Sequence, residues 1–476
     1  MRIALFARLL MSLAVLAIAP DVFPWRLQAA ESFPARTALD DYVQKADPSY
    51  SWKLVQQVPG KGFTAYLVDM TSQTWRTSQE VDRPQWRHWL RVVKPDAVAY
   101  DTGFLFIGGG RNDRDPPKPV DERMAKIALA TRSVTAELHM VPNQPLVFHG
   151  DGKPRVEDDL VAYTWDQFLN SGDPTWPARN PMVKSAVRAM DTVTALMASD
   201  EGGKARVDKF VVAGGSKRGW TTWLTGAVDD RVVAIVPIVI DVLNAEKSIR
   251  HHWAAYGFWA PAIHDYQTHG ILARLDAPAS DDLYRLVDPY SYRHRLKKPK
   301  YIVTAAGDQF FLPDSARFYF DDLEGEKYLR VVPNADHSLD GSDALESIVA
   351  FYRLILSGKP RPEFTWKFES DGTIRVEAAD PPLAATFWQA TNPDARDFRL
   401  ESLGPKYTAS DLEISDGVYT ATVAKPPKGW TAYFVELTYR VGELPLKFTT
   451  PVRITPDTLP FADTPIPTSL EQTGGR

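Results

Sequence analysis

Ser216 stands in the run Gly214-Gly215-Ser216-Lys217-Arg218-Gly219-Trp220, directly after the apolar stretch Phe210-Val211-Val212-Ala213. This pattern predicts a buried strand that bends sharply into a helix. A serine on such a bend is held in a strained conformation with its hydroxyl thrust outward, and small neighbours keep strand and helix from colliding. The hydroxyl is a weak nucleophile until a base takes its proton. Two further residues complete that chemistry: Asp308 follows the apolar run Tyr301 to Ala306, and His337 follows Tyr328 to Val332. Ser216, Asp308 and His337 thus come at the ends of three buried strands, in the chain order of an alpha/beta-hydrolase triad. His337 would serve as base and then acid, while Asp308 fixes the imidazole tautomer. Asp314 is a competing acid a little further along, whereas no histidine after Asp308 competes with His337.

A hydrolase of this kind also needs donors for the oxyanion. The strand-like Thr102 to Ile107 runs into Gly108-Gly109-Gly110, a loop whose backbone N–H groups approach a ligand without side-chain obstruction. The backbone N–H of Lys217 and that of Gly109 or Gly110 are the expected oxyanion hole; loss of one such donor typically costs ~3 kcal/mol in the transition state. Lys217 and Arg218 set two cations beside the nucleophile. A cation facing the cleft would favour a substrate carrying a carboxylate or phosphate, and Arg218 is the expected one.

The elements that must position these groups alternate. A helical period over Val183, Ala186, Val187, Met190, Val193 and Leu196 precedes the Phe210 strand, and Val232 to Ile240 reads as the next buried strand. Strand and helix at this rhythm predict an α/β fold, a mostly parallel sheet with helices on both faces. Residues from about 245 to 285 break the rhythm with His251, His252, Trp253, Tyr256, Phe258, Trp259, His264, Tyr266 and His269. They read as an aromatic-rich lid, with His252, Trp253 and Tyr256 as substrate-binding candidates. The histidines lack a recognised zinc spacing, so neither metal nor cofactor is expected. From residue 361 to about 458, short alternating segments separated by turn residues predict a C-terminal β-sandwich, followed by a loose tail. Trp366 and Trp388 read more readily as core than as a sugar platform.

The chain has 476 residues, 44% of them hydrophobic, a net charge of -5 and no cysteine. Cysteine is therefore excluded as nucleophile, disulfide partner or zinc ligand, and no basic patch suits nucleic acid. Arg2 and Arg8, the apolar Leu9 to Ala19 and the small residues of Gln28-Ala29-Ala30 read as a signal peptide over residues 1–30. Periplasmic or secreted placement in a bacterium is the expectation, without stable membrane insertion after cleavage.

The motifs Gly214 to Trp220, Val141-Pro142-Asn143-Gln144-Pro145 and Ala306-Gly307-Asp308-Gln309-Phe310-Phe311-Leu312-Pro313-Asp314 resemble those of the PhoPQ-activated pathogenicity-related protein family. The resemblance implies an alpha/beta-hydrolase fold and export. The elbow departs from Gly-x-Ser-x-Gly, with Arg218 where the second glycine would stand; the Gly-x-Ser-x-x-Gly form is similar to that of glucuronoyl esterases, which act on sugar-acid esters. The expected activity is cleavage of an ester or amide, in a small molecule, sugar ester or peptide, through an acyl-serine. The alternative is a catalytically idle hydrolase fold used for binding or signalling.

Overall fold

The computed structural model describes residues 34–468, so the signal segment expected at 1–30 lies outside the described residues. A short helix α1 (Ala38–Gln44), closed by a capping box between Thr37 and Asp40, leads into antiparallel strands β1 (Ser51–Gly60), β2 (Phe63–Thr74) and β3 (Gln85–Pro95). The centre of the sheet follows: β4 (Thr102–Ile107), β5 (Thr135–Leu138), β6 (Lys209–Gly215), β7 (Val232–Ile238), β8 (Lys300–Ala305) and β9 (Lys327–Val332). In space the order is β1-β2-β3-β5-β4-β6-β7-β8-β9. Every pairing from β5 to β9 is parallel, and the exchange of β4 and β5 is the topology of an alpha/beta-hydrolase.

These strands are apolar on both sides because helices cover both faces. Alternate residues serve different cores. Leu105, Val212, Ile235 and Ile302 pack beneath α4 (Arg179–Ala198) and α5 (Lys217–Val228). Phe104, Val211, Val236 and Val303 meet α2 (Glu122–Thr131) and α9 (Ala344–Ser357) on the other face. Helix α3 (Glu157–Ser171) begins with three acidic residues, Glu157, Asp158 and Asp159. Between β7 and β8 the chain leaves the sheet as α6 (Ala245–Tyr256), α7 (His264–Thr268) and α8 (Pro278–Val287), the lid insertion. No described helix is long and apolar enough to cross a membrane.

After α9 the fold becomes β throughout. Strands β10 (Phe364–Phe368), β11 (Ile374–Ala378), β14 (Ile414–Ser415) and β15 (Val418–Ala421) form a four-stranded antiparallel sheet. It packs, through Ile374, Val376 and Tyr419, against Phe387, Tyr433 and Val435 of the opposing strands. Those opposing strands, β12 (Ala384–Asn392), β13 (Thr408–Asp411), β16 (Trp430–Val441), β17 (Leu444–Thr449) and β18 (Arg453–Thr455), belong to the hydrolase sheet itself. The junction is the antiparallel pairing of β17 with β9 at Thr449 and Leu329. A buried ionic knot secures it: Arg330 of β9 pairs with Glu436 of β16 and, at 2.8 Å, with Asp343, which also takes Lys447 at 2.7 Å. The sandwich is therefore built on the sheet's edge strand. Trp366 and Trp388 are partly buried against the cores. The described part of the segment expected to be loose is held along α6, where Phe461 N–H donates to Ala254 at 2.9 Å and Trp253 Nε1 donates to Thr464 O at 3.0 Å.

Candidate active site

Ser216 occupies the single residue between β6 and α5, with φ 56° and ψ -125°. For a non-glycine residue this conformation stores about 1–3 kcal/mol, and the bend is held by Ser216 N–H donating to Ile238 O (2.8 Å) and Trp220 N–H to Ser216 O (3.0 Å). The departure from Gly-x-Ser-x-Gly has a steric account. A Cβ on Gly214 would lie 2.7 Å from Arg218 O and 3.0 Å from Arg218 Cβ, while one on Gly219 would lie 2.9 Å from both Gly214 O and Ile238 O. Bare Gly214 lets a large residue stand at 218, and the second close approach falls on Gly219 instead. Gly215 has open space around it. Gly214→Ala is expected to lower stability by about 2 kcal/mol, because backbone must move; thermal unfolding measures it, with Gly215→Ala as the mild comparison.

Asp308, 1% exposed, sits beyond the end of β8. Its Oδ2 accepts from His337 Nδ1 at 2.8 Å, and its Oδ1 accepts the Phe310 N–H at 2.8 Å. Gln309 Oε1 accepts the His337 backbone N–H at 3.2 Å. With Nδ1 engaged, Nε2 is the nitrogen left for proton transfer. The Phe310 ring lies 4.4 Å from the imidazole and also lines the cavity that holds Ser216. Among the described residues Ser216 Oγ makes no hydrogen bond with His337; such contacts tighten when substrate arrives.

Asp314 has other partners. It accepts from His251 Nε2 at 3.0 Å, Arg396 at 2.6 Å and Arg317 at 3.4 Å. Burial alone would raise its pKa, but His251 and Arg396 outweigh that and hold the carboxyl well below the usual range. It ties the lid helix α6 to the loop before β13 rather than steering His337.

A third carboxyl in this region escaped the sequence reading. Asp241, 1% exposed, accepts from the Tyr319 hydroxyl at 2.6 Å. Burial, then the charges of Asp308 and Asp314 against the Tyr319 bond, push its pKa up to about 7. The unfolded chain releases this proton near pH 4 and the native protein only near 7, so Asp241 lowers stability progressively as pH rises between those values. Asp241→Asn is expected to gain on the parent protein by about 1.4 kcal/mol per pH unit across that window, in paired denaturant titrations. The difference is the right readout, because buried His88 and His252, depressed to about 4 and about 3, tilt the absolute profile the other way.

The glycine loop lies against the elbow. Gly108 N–H donates to Leu138 O (2.7 Å), and Gly109 O and Gly108 O accept from Met140 N–H (2.8 Å) and Val141 N–H (3.2 Å). Among the described residues the N–H groups of Gly109 and Gly110 donate to no protein acceptor, and Lys217, first in α5, has no partner four residues back. Of these three residues Lys217 lines the cavity that holds Ser216, and Gly109 and Gly110 do not. The segment Val141 to Pro145 braces the loop: Gln144 Nε2 donates to Gly110 O (3.2 Å) and to Glu157, and Gln144 Oε1 accepts the Glu157 N–H (2.7 Å).

The expected cationic cleft needs correction. Arg218 does not line the cavity. It forks onto Glu157 at 2.8 and 2.7 Å, donates from Nε to Val141 O at 2.5 Å, and fills the space a Gly109 side chain would need. Lys217 reaches the cavity wall but pairs with Glu157 at 2.8 Å and Asp158 at 3.0 Å. Burial would raise the Glu157 pKa, yet Arg218 and Lys217 hold it well below the usual range. Of the lid candidates, His252 lines the cavity, where its Nε2 accepts the Ala260 N–H at 3.1 Å and burial keeps it neutral. Trp253 and Tyr256 do not line it. They line a separate groove with Trp430 and Phe461; Tyr256 is one turn beyond His252 on the same face of α6, its ring 4.7 Å from the imidazole. Of the remaining lid histidines, His264 bonds Thr268 within the insertion (3.1 Å) and His269 reaches Asp159 of α3 (2.6 Å).

A narrow cavity lies beside Ser216. Trp165, Trp220, Ile240, Val242, Phe310 and Phe311 form much of its wall, roofed by Ile249, Ile263, Tyr266 and Ile271 of the insertion. Glu157, Asp158 and Arg179 were not singled out from sequence. The only local sign was an acidic run at a helix start, which ordinarily serves the helix dipole.

Among proteins similar to this chain is autocrine proliferation repressor protein A of Dictyostelium discoideum, 41% identical over 459 residues, which span 89% of this chain and 92% of that protein. Solved structures similar to it include an acetyl xylan esterase from Paenibacillus sp. R4, at 15% identity and TM-score 0.46 over 69% of this chain and 96% of that one. Another is the Pyrococcus horikoshii acylaminoacyl peptidase, at 12% identity and TM-score 0.40 over 66% of this chain and 51% of that one. The model of one family matches residues 39–399, a span that holds the elbow, the glycine loop, the lid and the Asp308–His337 pair. The chain belongs to the family of PhoPQ-activated pathogenicity-related proteins.

Proposed function

We propose that the chain is an exported serine hydrolase that cleaves an ester or amide through an acyl-Ser216 intermediate. The 2.8 Å contact between Asp308 and His337 Nδ1, on the sheet edge that carries the strained Ser216, supports this most directly. His337 Nε2 takes the Ser216 proton as Oγ attacks the substrate carbonyl. The carbonyl oxygen, now negative, is received by the N–H of Lys217 and by that of Gly109 or Gly110. Collapse breaks the bond to the leaving group, which takes the proton from His337. Water then repeats the sequence to free the acid and restore Ser216.

Small-molecule esters, sugar esters and peptides all suit this machinery. Periplasmic or secreted placement follows from the basic and apolar N-terminal segment and is tested by the N-terminal sequence of protein recovered from outside the cytoplasm. A fluorophosphonate probe tests the chemistry: adduct on Ser216 in the parent protein and none in Ser216→Ala. The similarity to a protein named as a proliferation repressor favours a second reading, a hydrolase fold that signals without turnover. That reading requires the parent protein to resist the probe.

A further inference from the structure

Five charged side chains cluster beside the Ser216 elbow, Arg179, Lys217 and Arg218 against Glu157 and Asp158; of these Arg179, Lys217 and Asp158 line the cavity. Arg218 is matched by Glu157, and Lys217 by Asp158 with a share of Glu157. The next carboxylate along α3, Asp159, is taken by His269. Arg179 is left over. Among the described residues it has no carboxylate within ion-pair distance, although it is 1% exposed and lines the cavity. Its Nη1 donates to Lys217 O at 3.0 Å, its guanidinium lies 4.4 Å over the Trp220 ring, and its Nε is buried without a partner. The Tyr266 hydroxyl beside it donates its own proton to Asp158 at 3.0 Å. Guanidinium stays protonated in proteins; Asp158 lends it a favourable charge from beyond contact distance, but a buried cation with no directly paired counter-ion is costly.

We infer that Arg179 is the subsite for a carboxylate carried by the substrate, in a cavity whose other walls accept an apolar body. The inference rests on the hydrolase reading and narrows it. A cation with no directly paired carboxylate matches a substrate carboxylate, whose two oxygens suit the planar guanidinium fork. The apolar wall of Ile240, Val242, Ile249 and Ile271 gives no further charged anchor. The carboxylate has two possible sources, the acyl half of a dicarboxylic half-ester or the free C-terminus of a peptide.

Two matched pairs separate these sources: 4-nitrophenyl hemisuccinate against 4-nitrophenyl butyrate, and an N-acetyl dipeptide with a free against an amidated C-terminus. In one pair the carboxylate member is expected to have roughly 100-fold higher kcat/KM, the size of a charge-assisted hydrogen-bonded contact. That preference falls to within about threefold in Arg179→Met and to roughly tenfold in Arg179→Lys, which keeps the charge without the fork. Calorimetric titration of the same probes into Ser216→Ala reads the subsite without turnover, with a comparable preference expected. Parity within both pairs, or a preference that survives in folded Arg179→Met, overturns the subsite while fluorophosphonate labelling leaves the hydrolase reading standing. Absence of labelling with the binding preference intact has the opposite meaning. If Arg179→Met fails to fold, Arg179→Lys and the Ser216→Ala titration decide.

Discussion

Ser216→Ala is expected to lower kcat on any ester substrate by on the order of 10⁶-fold, the scale reached when a triad nucleophile is removed. The fold should hardly notice. Among the described residues Ser216 Oγ makes no hydrogen bond, and the bend is held by backbone bonds to Ile238 and Trp220, which alanine retains. The melting temperature is therefore expected to stay within a few degrees of the parent, measured beside the steady-state rates. The residual rate is informative, because the glycine-loop and Lys217 N–H groups remain in place and still polarise a bound carbonyl. A variant that keeps a tenth of the parent rate would falsify the assignment of Ser216 as nucleophile, whatever its stability.

The second large effect is Asp308→Asn, expected to reduce kcat by roughly 10⁴-fold. The amide cannot accept from His337 Nδ1–H as a carboxylate does, and the imidazole settles in the wrong tautomer or orientation. Asp314→Asn is the informative partner. It leaves Arg396, 1% exposed, and His251, 5% exposed, facing an uncharged amide in place of a shared carboxylate. Loss of a partner from a buried ionic cluster of this kind costs about 3–5 kcal/mol. The expected result is a much lower unfolding midpoint, with kcat of the folded fraction within a few-fold of the parent. Kinetics and denaturation run on both variants test the division of labour between the two aspartates. If Asp314→Asn were the catalytic lesion and Asp308→Asn the structural one, the Asp308–His337 contact would have to be reinterpreted as scaffolding.

The backbone of this account is legible in local sequence. Phe210 to Ala213, Tyr301 to Ala306 and Tyr328 to Val332 are apolar on both sides, which requires a sheet covered twice. Ser216, Asp308 and His337 follow those runs, so a parallel sheet must deliver all three to one edge. Gly108 to Gly110 follows a fourth run and reaches the same edge. Other features have no local signature. Lys217 and Arg218 look like free cations because their neighbours in sequence are neutral, yet α3 carries Glu157 and Asp158 to them from a remote stretch. Arg179 looks ordinary at a helix start and becomes the unmatched charge only once those carboxylates are assigned elsewhere. Short alternating strands after residue 361 announce a sandwich but not that β17 would pair with β9 and extend the hydrolase sheet. Sequence alone determined which groups stand at strand ends, because burial and turn geometry are set by near neighbours. Tertiary structure alone decided which charges are neutralised and which edge is extended. Both depend on partners far away in the chain, whose approach no local pattern encodes.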